Sequence, residues 1–406
     1  MTGSNSTGST LEALIGIDLQ EFLQIVAGGH YKVARAANPS GLISLAEFDE
    51  LISGPSAFSG SDMRLIKDGT PLAGDRYTVA GSSAQIDGAK VIAAISHGYT
   101  LVANRLHQVN RKCGSFARKL AEELHCPVAI NAYLTPAGSQ GLSPHYDHHD
   151  VFVIQIEGSK VWNISPPVIP APTMRESWRY LSDSQAAEIE SQAVNPTAIT
   201  LSAGDVLYLP RGWMHSASAQ EGHSFHLTIS VDPVTRKDVL IHVMDILAAQ
   251  DDWFRRESSL FRMGSDQEIL DEISTALTKV VDGASEISAP SLVEVVQESA
   301  ANGLGIDGPK MAVTALGIAT PSNISSVRRR AGLRWSTTSL DDERVAVQVP
   351  GAKLVLPQAA LPSVTLLLSG REVTRREAAE ALGDEAVADQ LIAAFLQAGA
   401  LEPMNT

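Results

Sequence analysis

The stretch "SPHYDHHDVFVIQIEGSKVW", residues 143–162, decides how this chain is read. Three histidines and two aspartates crowd the positions from His145 to Asp150, and an apolar run follows at once. In a strand, residues i and i+2 point the same way, so His145 and Asp147 are expected to share a face and Tyr146 to take the other. "QIEGSK" reads as a strand, a Gly-Ser turn and a second strand, in which Lys160, Trp162 and Ile164 lie on one face.

A third donor is expected from a neighbouring strand. "GDVLYLPRGWMH", residues 204–215, supplies one through a Gly204-Asp205 turn, a strand, a tight Pro-Arg-Gly turn and then His215. Two imidazoles and one carboxylate make the facial set that holds non-haem Fe(II) with positions left open. A structural zinc site would close all its positions with protein. A bare HxD arises often by chance; HxD followed by a lysine-bearing strand and GD…LPxGxxH, in that order, is specific. The competing reading has His145 and Asp147 bracing a turn and His215 as a satisfied loop histidine. His148, His149 and Asp150 are spare donors, read as entrance or supporting groups or as solvated turn residues.

The flanks fit a β-rich domain from about 127 to 233. "VAINAYL", "DVFVIQI", "KVWNIS", "AITLSAGDVLYLP" and "SFHLTISV" alternate with Gly/Pro turns, the pattern of a sandwich or barrel. Asn131, Tyr133 and Thr135 share one strand face, and so do His226, Thr228 and Ser230. Either these polar rows line a wet barrel interior or they face solvent from a one-sided sheet. Lys160 either meets an anion inside or snorkels to water from the strand start.

Outside this block the chain reads as helical. Residues 11–27 predict one helix, Ser44 and Glu47 form a capping box before another, and 86–125 predict more helix. The insert 168–195 holds a helical segment. Beyond Pro233, "RKDVLIHVMDILAAQDDWFRR" and "DQEILDEISTALTKVV" are amphipathic helices. The end carries three short helices, a capping box at Thr374 and Glu377, a stop at Gly383 and an approach strand near "KLVLP", an arrangement similar to a winged helix. The first ten residues read as a disordered tail.

Formal net charge is −15, which argues against sheathing nucleic acid and suits a basic protein partner. The last segment, 361–406, has three Lys/Arg against seven Asp/Glu, a net −4, so DNA contact by the winged-helix-like part is disfavoured. Two cysteines, Cys113 and Cys126, make no disulfide framework, and a reducing cytoplasm is expected. No signal peptide and no membrane span are predicted.

Through "NAYLTPAGSQGLSPHYDHHDVFVIQIEGSKVW" and "LSAGDVLYLPRGWMHSA…HSFHLTIS", the chain resembles the JmjC-type Fe(II)/2-oxoglutarate-dependent oxygenases, more narrowly their ribosomal oxygenase (cupin-4) branch. "YLTPAGSQG" before the HxD points to that branch. The resemblance implies an α+β fold: a double-stranded β-helix (jelly-roll, cupin) barrel with N-terminal helices over 11–234, a helical dimerisation region over 235–320 and a winged-helix domain over 321–406. It implies His145, Asp147 and His215 as iron ligands and Lys160 as partner of the 2-oxoglutarate carboxylate. It places Asn131, Tyr133 and Ser230 near cosubstrate and substrate. The implied activity is O2-dependent hydroxylation of a His or Arg side chain in a basic ribosomal protein, by a homodimer, with succinate and CO2 as co-products. "HHD" after the HxD departs from the family, where acidic residues are usual. Rival readings are an oxygenase of a peptide natural product, a small molecule or methyl-lysine; a winged-helix regulator with a sensory cupin; and a Zn or Mn cupin isomerase or hydrolase.

Overall fold

The computed structural model describes residues 9–38, 41–53, 58–194, 196–258, 265–287, 324–330, 333, 335–349 and 352–404. Most of the expected tail, Gly54, where a stop for the helix after Ser44 is expected, and residues 259–264 and 288–320 of the expected dimerisation region lie outside the described residues.

Among the described residues, ten strands build the largest sheet: β1 (Lys32–Arg35), β2 (Met63–Lys67), β3 (Thr70–Pro71), β4 (Thr100–Ala103), β5 (Val128–Thr135), β6 (Asp150–Ser165), β7 (Thr197–Ser202), β8 (Asp205–Leu209), β9 (Met214–Ser218) and β10 (Ser224–Val231). The main layer runs β1-β8-β6-β10-β5-β4-β2-β3, all antiparallel, with β7 and β9 attached to β6. The β6 strand joins two layers. Its first half pairs with β8 and β10, and its second half, from Ser159, pairs with β7 and β9. No turn interrupts it. The expected Gly-Ser turn is instead a bend at Gly158, whose φ of 70° only glycine tolerates cheaply. A Cβ there would stand 1.9 Å from the His223 carbonyl oxygen, so backbone packing as well as φ demands glycine.

Both faces of the main layer are covered. Phe152, Ile154, Ile130, Ala132, Phe225, Leu227 and Ile229 pack outward against Leu11, Leu14, Phe22, Phe48 and Leu120 of the N-terminal helices. Val151 and Val153 point the other way, toward Trp162, Ile164 and Leu201 of the second layer. Alternation along each strand therefore separates a helix-covered core from a barrel interior.

Two helical expectations change. Residues 11–27 form two helices, Thr10–Ile15 and Leu19–Gly28, because Gly16 ends the first in the left-handed region and Asp18 caps the second by accepting from Glu21 N at 2.8 Å. The 86–125 region is broken by β4, fully buried between β2 and β5, with helices Gly88–Ser96, Leu106–Val109 and Arg111–Leu124 around it. Tertiary pairing overrides helical surroundings there, and the β-branched Thr100 and Val102 suit a strand. The Ser44–Glu47 capping box stands as read, with both reciprocal bonds made. The hairpin β2–β3 was not anticipated, although Asp68-Gly69, both at positive φ, is a signature of such turns.

Helices Arg236–Gln250 and Asp266–Glu286 follow the barrel. They are tied by Lys279 Nζ to Asp251 Oδ2 at 2.8 Å and by Gly283 closing on Leu247. The C-terminal part holds helices Leu361–Leu367, Arg375–Leu382 and Glu385–Gln397. Among its described residues it has six strands rather than the one expected: Ser326–Arg329 between Glu372–Thr374 and Leu401–Pro403, and a meander Ser336–Ser339, Arg344–Val349, Ala352–Pro357. The Thr374–Glu377 capping box and the Gly383 stop are present. No helix among the described residues is long and apolar enough to cross a membrane.

Candidate metal centre

His145 and His215 face each other across an isolated antiparallel bridge between the loop before β6 and the start of β9. Residues 145–147 are not a strand, contrary to expectation; that single bridge sets His145, and Asp147 is held separately. Gly212 N donates to the Asp147 carbonyl at 2.9 Å, so the tight turn before β9 also places the carboxylate. Gly212 is at φ 87°, and a Cβ there would lie 2.6 Å from the Ile169 carbonyl oxygen.

One donor atom from each of His145, Asp147 and His215 lies within 4.8 Å of the others, as three ligands around one ion require. His215 Nε2 is 3.6 Å from Asp147 Oδ2. His145 Nδ1 meets the Ser143 carbonyl at 2.7 Å, and His215 Nδ1 meets the Trp213 carbonyl at 3.0 Å. A carbonyl can only accept, so each Nδ1 carries the proton and each Nε2 presents its lone pair, the tautomer a metal needs. Burial, then the neighbouring His145, pushes the His215 imidazole down to about 4, keeping it neutral. Burial pushes the Asp147 carboxyl up, but the surrounding imidazoles, His149 first, outweigh it and hold the group below the usual carboxylate range. Among the described residues no fourth His, Cys, Asp or Glu joins the cluster. The donor set therefore fits a metal with an open coordination side.

The centre opens into a cavity of about 400 Å³ between the two sheet layers. Asn131, Tyr133, His226, Thr228 and Ser230 line it from β5 and β10; Lys160, Trp162 and His215 line it from the second layer. The polar rows thus face the barrel interior, not solvent. Lys160 is 4% exposed, and its Nζ donates to Thr135 Oγ1 at 3.0 Å. Desolvation pushes its ammonium down to about 7. Snorkelling is excluded by that burial, and a buried ammonium with one hydroxyl partner fits an anionic ligand. His226 Nδ1 and Trp162 Nε1, both buried, have no hydrogen-bond partner among the described residues. Asn131 Oδ1 accepts from Arg105 N at 3.0 Å, and Ser230 Oγ donates to the Ala129 carbonyl at 3.4 Å.

The spare donors divide. Asp150 is no solvated turn residue: it is 7% exposed, accepting from Tyr208 Oη and Arg211 N, both at 2.9 Å. Its burial follows from starting β6 beneath the Pro-Arg-Gly turn. His149 Nε2 stands 4.0 Å from Asp147 Oδ1, and His148 packs edge-on against His149 at the cavity wall. His226 was legible only as a polar row member; in space its ring stacks on Tyr133 at 4.8 Å and meets the Trp162 edge at 5.5 Å. Arg64 and Arg179, also at the cavity, were missed. The hairpin signal at Asp68-Gly69 would have placed Arg64 on a strand, whereas nothing local marks Arg179.

The same segment matches the JmjC domain family over residues 106–239. The chain is 44% identical over 113 residues to the bifunctional lysine-specific demethylase and histidyl-hydroxylase NO66 of Drosophila persimilis, covering 28% of this chain and 15% of that protein. It is 42% identical over 119 residues to ribosomal oxygenase 2 of Bos taurus, covering 28% of this chain and 24% of that protein. The match thus spans less than a quarter of either relative's length. In fold, the chain is similar to YcfD, a ribosomal oxygenase from Escherichia coli, with a TM-score of 0.53 at 16% identity over 96% of this chain and 99% of that one. A YcfD structure in complex with cobalt and 2-oxoglutarate has a TM-score of 0.51 at 16% identity, over 95% and 98% of the two chains.

Proposed function

We propose that this chain is an Fe(II)- and 2-oxoglutarate-dependent protein hydroxylase acting on a His or Arg side chain of a ribosomal protein, with O2 consumed and succinate and CO2 released. One observation carries the reading: a three-donor centre open on one side shares its cavity with a buried lysine that has no anionic partner among the described residues. The relatives' names supply the substrate class. His145, Asp147 and His215 would hold the iron, which when bound supplies the oxidising power to hydroxylate an unactivated carbon.

The chain's own residues do the rest. Lys160, with Thr135 beside it, binds and orients the distal carboxylate of 2-oxoglutarate. Ser143 and Trp213 carbonyls keep both imidazoles in the metal-binding tautomer. Trp162, Val151 and Ala217 dry the cavity, which strengthens every charge interaction inside it. Tyr133, Asn131 and Ser230 line the same cavity and would stand beside cosubstrate and substrate.

Residues 11–234 form the catalytic unit in this reading, 235–320 a dimerisation region and 321–406 a winged-helix-like domain, in a cytoplasmic homodimer. The exposed Leu270, Ile273, Leu277 and Val281, at helical spacing on Asp266–Glu286, support the dimer. Intact-mass comparison of ribosomal proteins from wild-type and deletion strains of the host tests the function. One protein lighter by a single oxygen in the deletion strain is the expected result; identical masses throughout, with no 2-oxoglutarate turnover by the pure protein, would overturn it.

A further inference from the structure

The cavity holds a charge pattern that metal and cosubstrate do not use. Among its lining side chains Asp147 is the only carboxylate, while Arg64, Lys160 and Arg179 are cations. Asp147 is committed to the metal centre and Lys160 to the cosubstrate. Arg64 and Arg179 are left over.

They reach the cavity from separate elements. Arg64 stands at the outer end of a cross-strand row, Arg64–Val102–Tyr133–His226, carried by β2, β4, β5 and β10. All of that row lines the cavity. Arg179 lies in the short turn of helix Trp178–Tyr180, anchored because Trp178 packs edge-on against the buried Tyr146 at 5.3 Å. Neither arginine has an ion pair or a side-chain hydrogen bond among the described residues, and both are exposed. His148 and His149 line the same wall and add no negative charge.

A single exposed arginine is usually only solvated. Two that line one cavity, with no carboxylate paired to either among the described residues, suit a planar two-oxygen anion. We propose that Arg64 and Arg179 bind an acidic residue of the substrate segment, next to the side chain that reaches the metal; this rests on the protein-hydroxylase reading above. The assignment is compatible with a net charge of −15, because the two fields act at different ranges. The whole-chain field steers a basic partner from a distance, while the rim acts within about one Debye length, ~8 Å at physiological salt. The substrate is then a basic protein with an acidic residue beside its target.

The test uses the full chain with Fe(II) and 2-oxoglutarate and two sets of short peptides. Each set carries every amino acid in turn at the centre; one is flanked by Glu, the other by Lys. Addition of one oxygen is read by mass. The Glu set should convert about tenfold faster, and Arg64→Glu and Arg179→Glu should erase or invert that preference at an unchanged melting temperature. Equal or better conversion of the Lys set removes the rim assignment and leaves the hydroxylase reading standing. A Glu preference that survives both reversals also overturns the assignment. Conversion of neither set removes both readings.

Discussion

His145 and His215 exchange a pair of backbone hydrogen bonds: His145 N donates to the His215 carbonyl at 3.1 Å, and His215 N donates to the His145 carbonyl at 2.7 Å. That bridge brings their rings to 4.3 Å between centroids. Two candidate ligands distant in sequence are therefore positioned by main chain rather than by flexible side-chain contacts, which preorganises their rings for an ion.

Because position comes from the backbone, removing a donor should leave the frame. His145→Ala and Asp147→Ala are expected to abolish succinate formation with the circular dichroism spectrum unchanged. Retained turnover in either variant would remove these residues from the centre.

Burial makes the charge of Lys160 sensitive to pH. Its folded pKa, about 7, lies below the ordinary 10.5 because of burial. Between those values the unfolded chain holds the proton more readily, so this residue's penalty is fully present below pH 7 and is relieved as pH rises toward 10.5. Lys160→Met should raise the ligand-free melting temperature near pH 7 by ~2 °C or more, with the gain vanishing toward pH 10.5. The same variant should raise the KM for 2-oxoglutarate at least about tenfold. Thermal unfolding across pH and cosubstrate titration check both.

Asp150 serves as a buried acceptor. Burial raises its carboxyl pKa, so ionisation costs stability as pH rises through the folded value. Asp150→Ala should cost about 1–3 kcal/mol by leaving the Tyr208 hydroxyl and Arg211 N–H unpaired. Asp150→Asn keeps an acceptor and a donor there and should be near neutral at pH 7. Denaturant unfolding of the pair distinguishes this role from a ligand role, in which both variants would lose activity without losing stability.

Gly212→Ala combines an unfavourable φ with a Cβ against the Ile169 carbonyl. The expected cost is on the order of 1–3 kcal/mol, with weakened metal binding because the Gly212–Asp147 hydrogen bond shifts. Isothermal titration with Mn(II), beside denaturant unfolding, measures both.

Leu277 is 63% exposed and Val281 70% on the helix Asp266–Glu286. Leu277→Glu should halve the mass seen by sedimentation if that stripe holds a second copy, and cosubstrate turnover should persist. An unchanged mass would place the dimer contact elsewhere.

Much of the centre was legible because its chemistry is local. HxD, the lysine-bearing strand and LPxGxxH carry residue types and short spacings that hardly depend on the rest of the chain. Capping boxes at Ser44 and Thr374 were legible for the same reason, since each closes within one helical turn. Errors fell where distant pairing competes with local preference. The β4 strand lies within helical surroundings and exists because β2 and β5 flank it. The Gly158 bend looked like a turn because sequence cannot show that β6 continues into a second layer.

By itself, then, the sequence determined the donor set, its order and the barrel's strand-rich composition, since ligand identity and side-chain alternation are properties of residue type. Only the tertiary structure decided that His145 bridges to His215, that Asp150 is buried, and that Arg64, Arg179 and His226 share one cavity. Those placements depend on cross-strand register and on where an insert docks, and both are set by the packing of residues far apart along the chain.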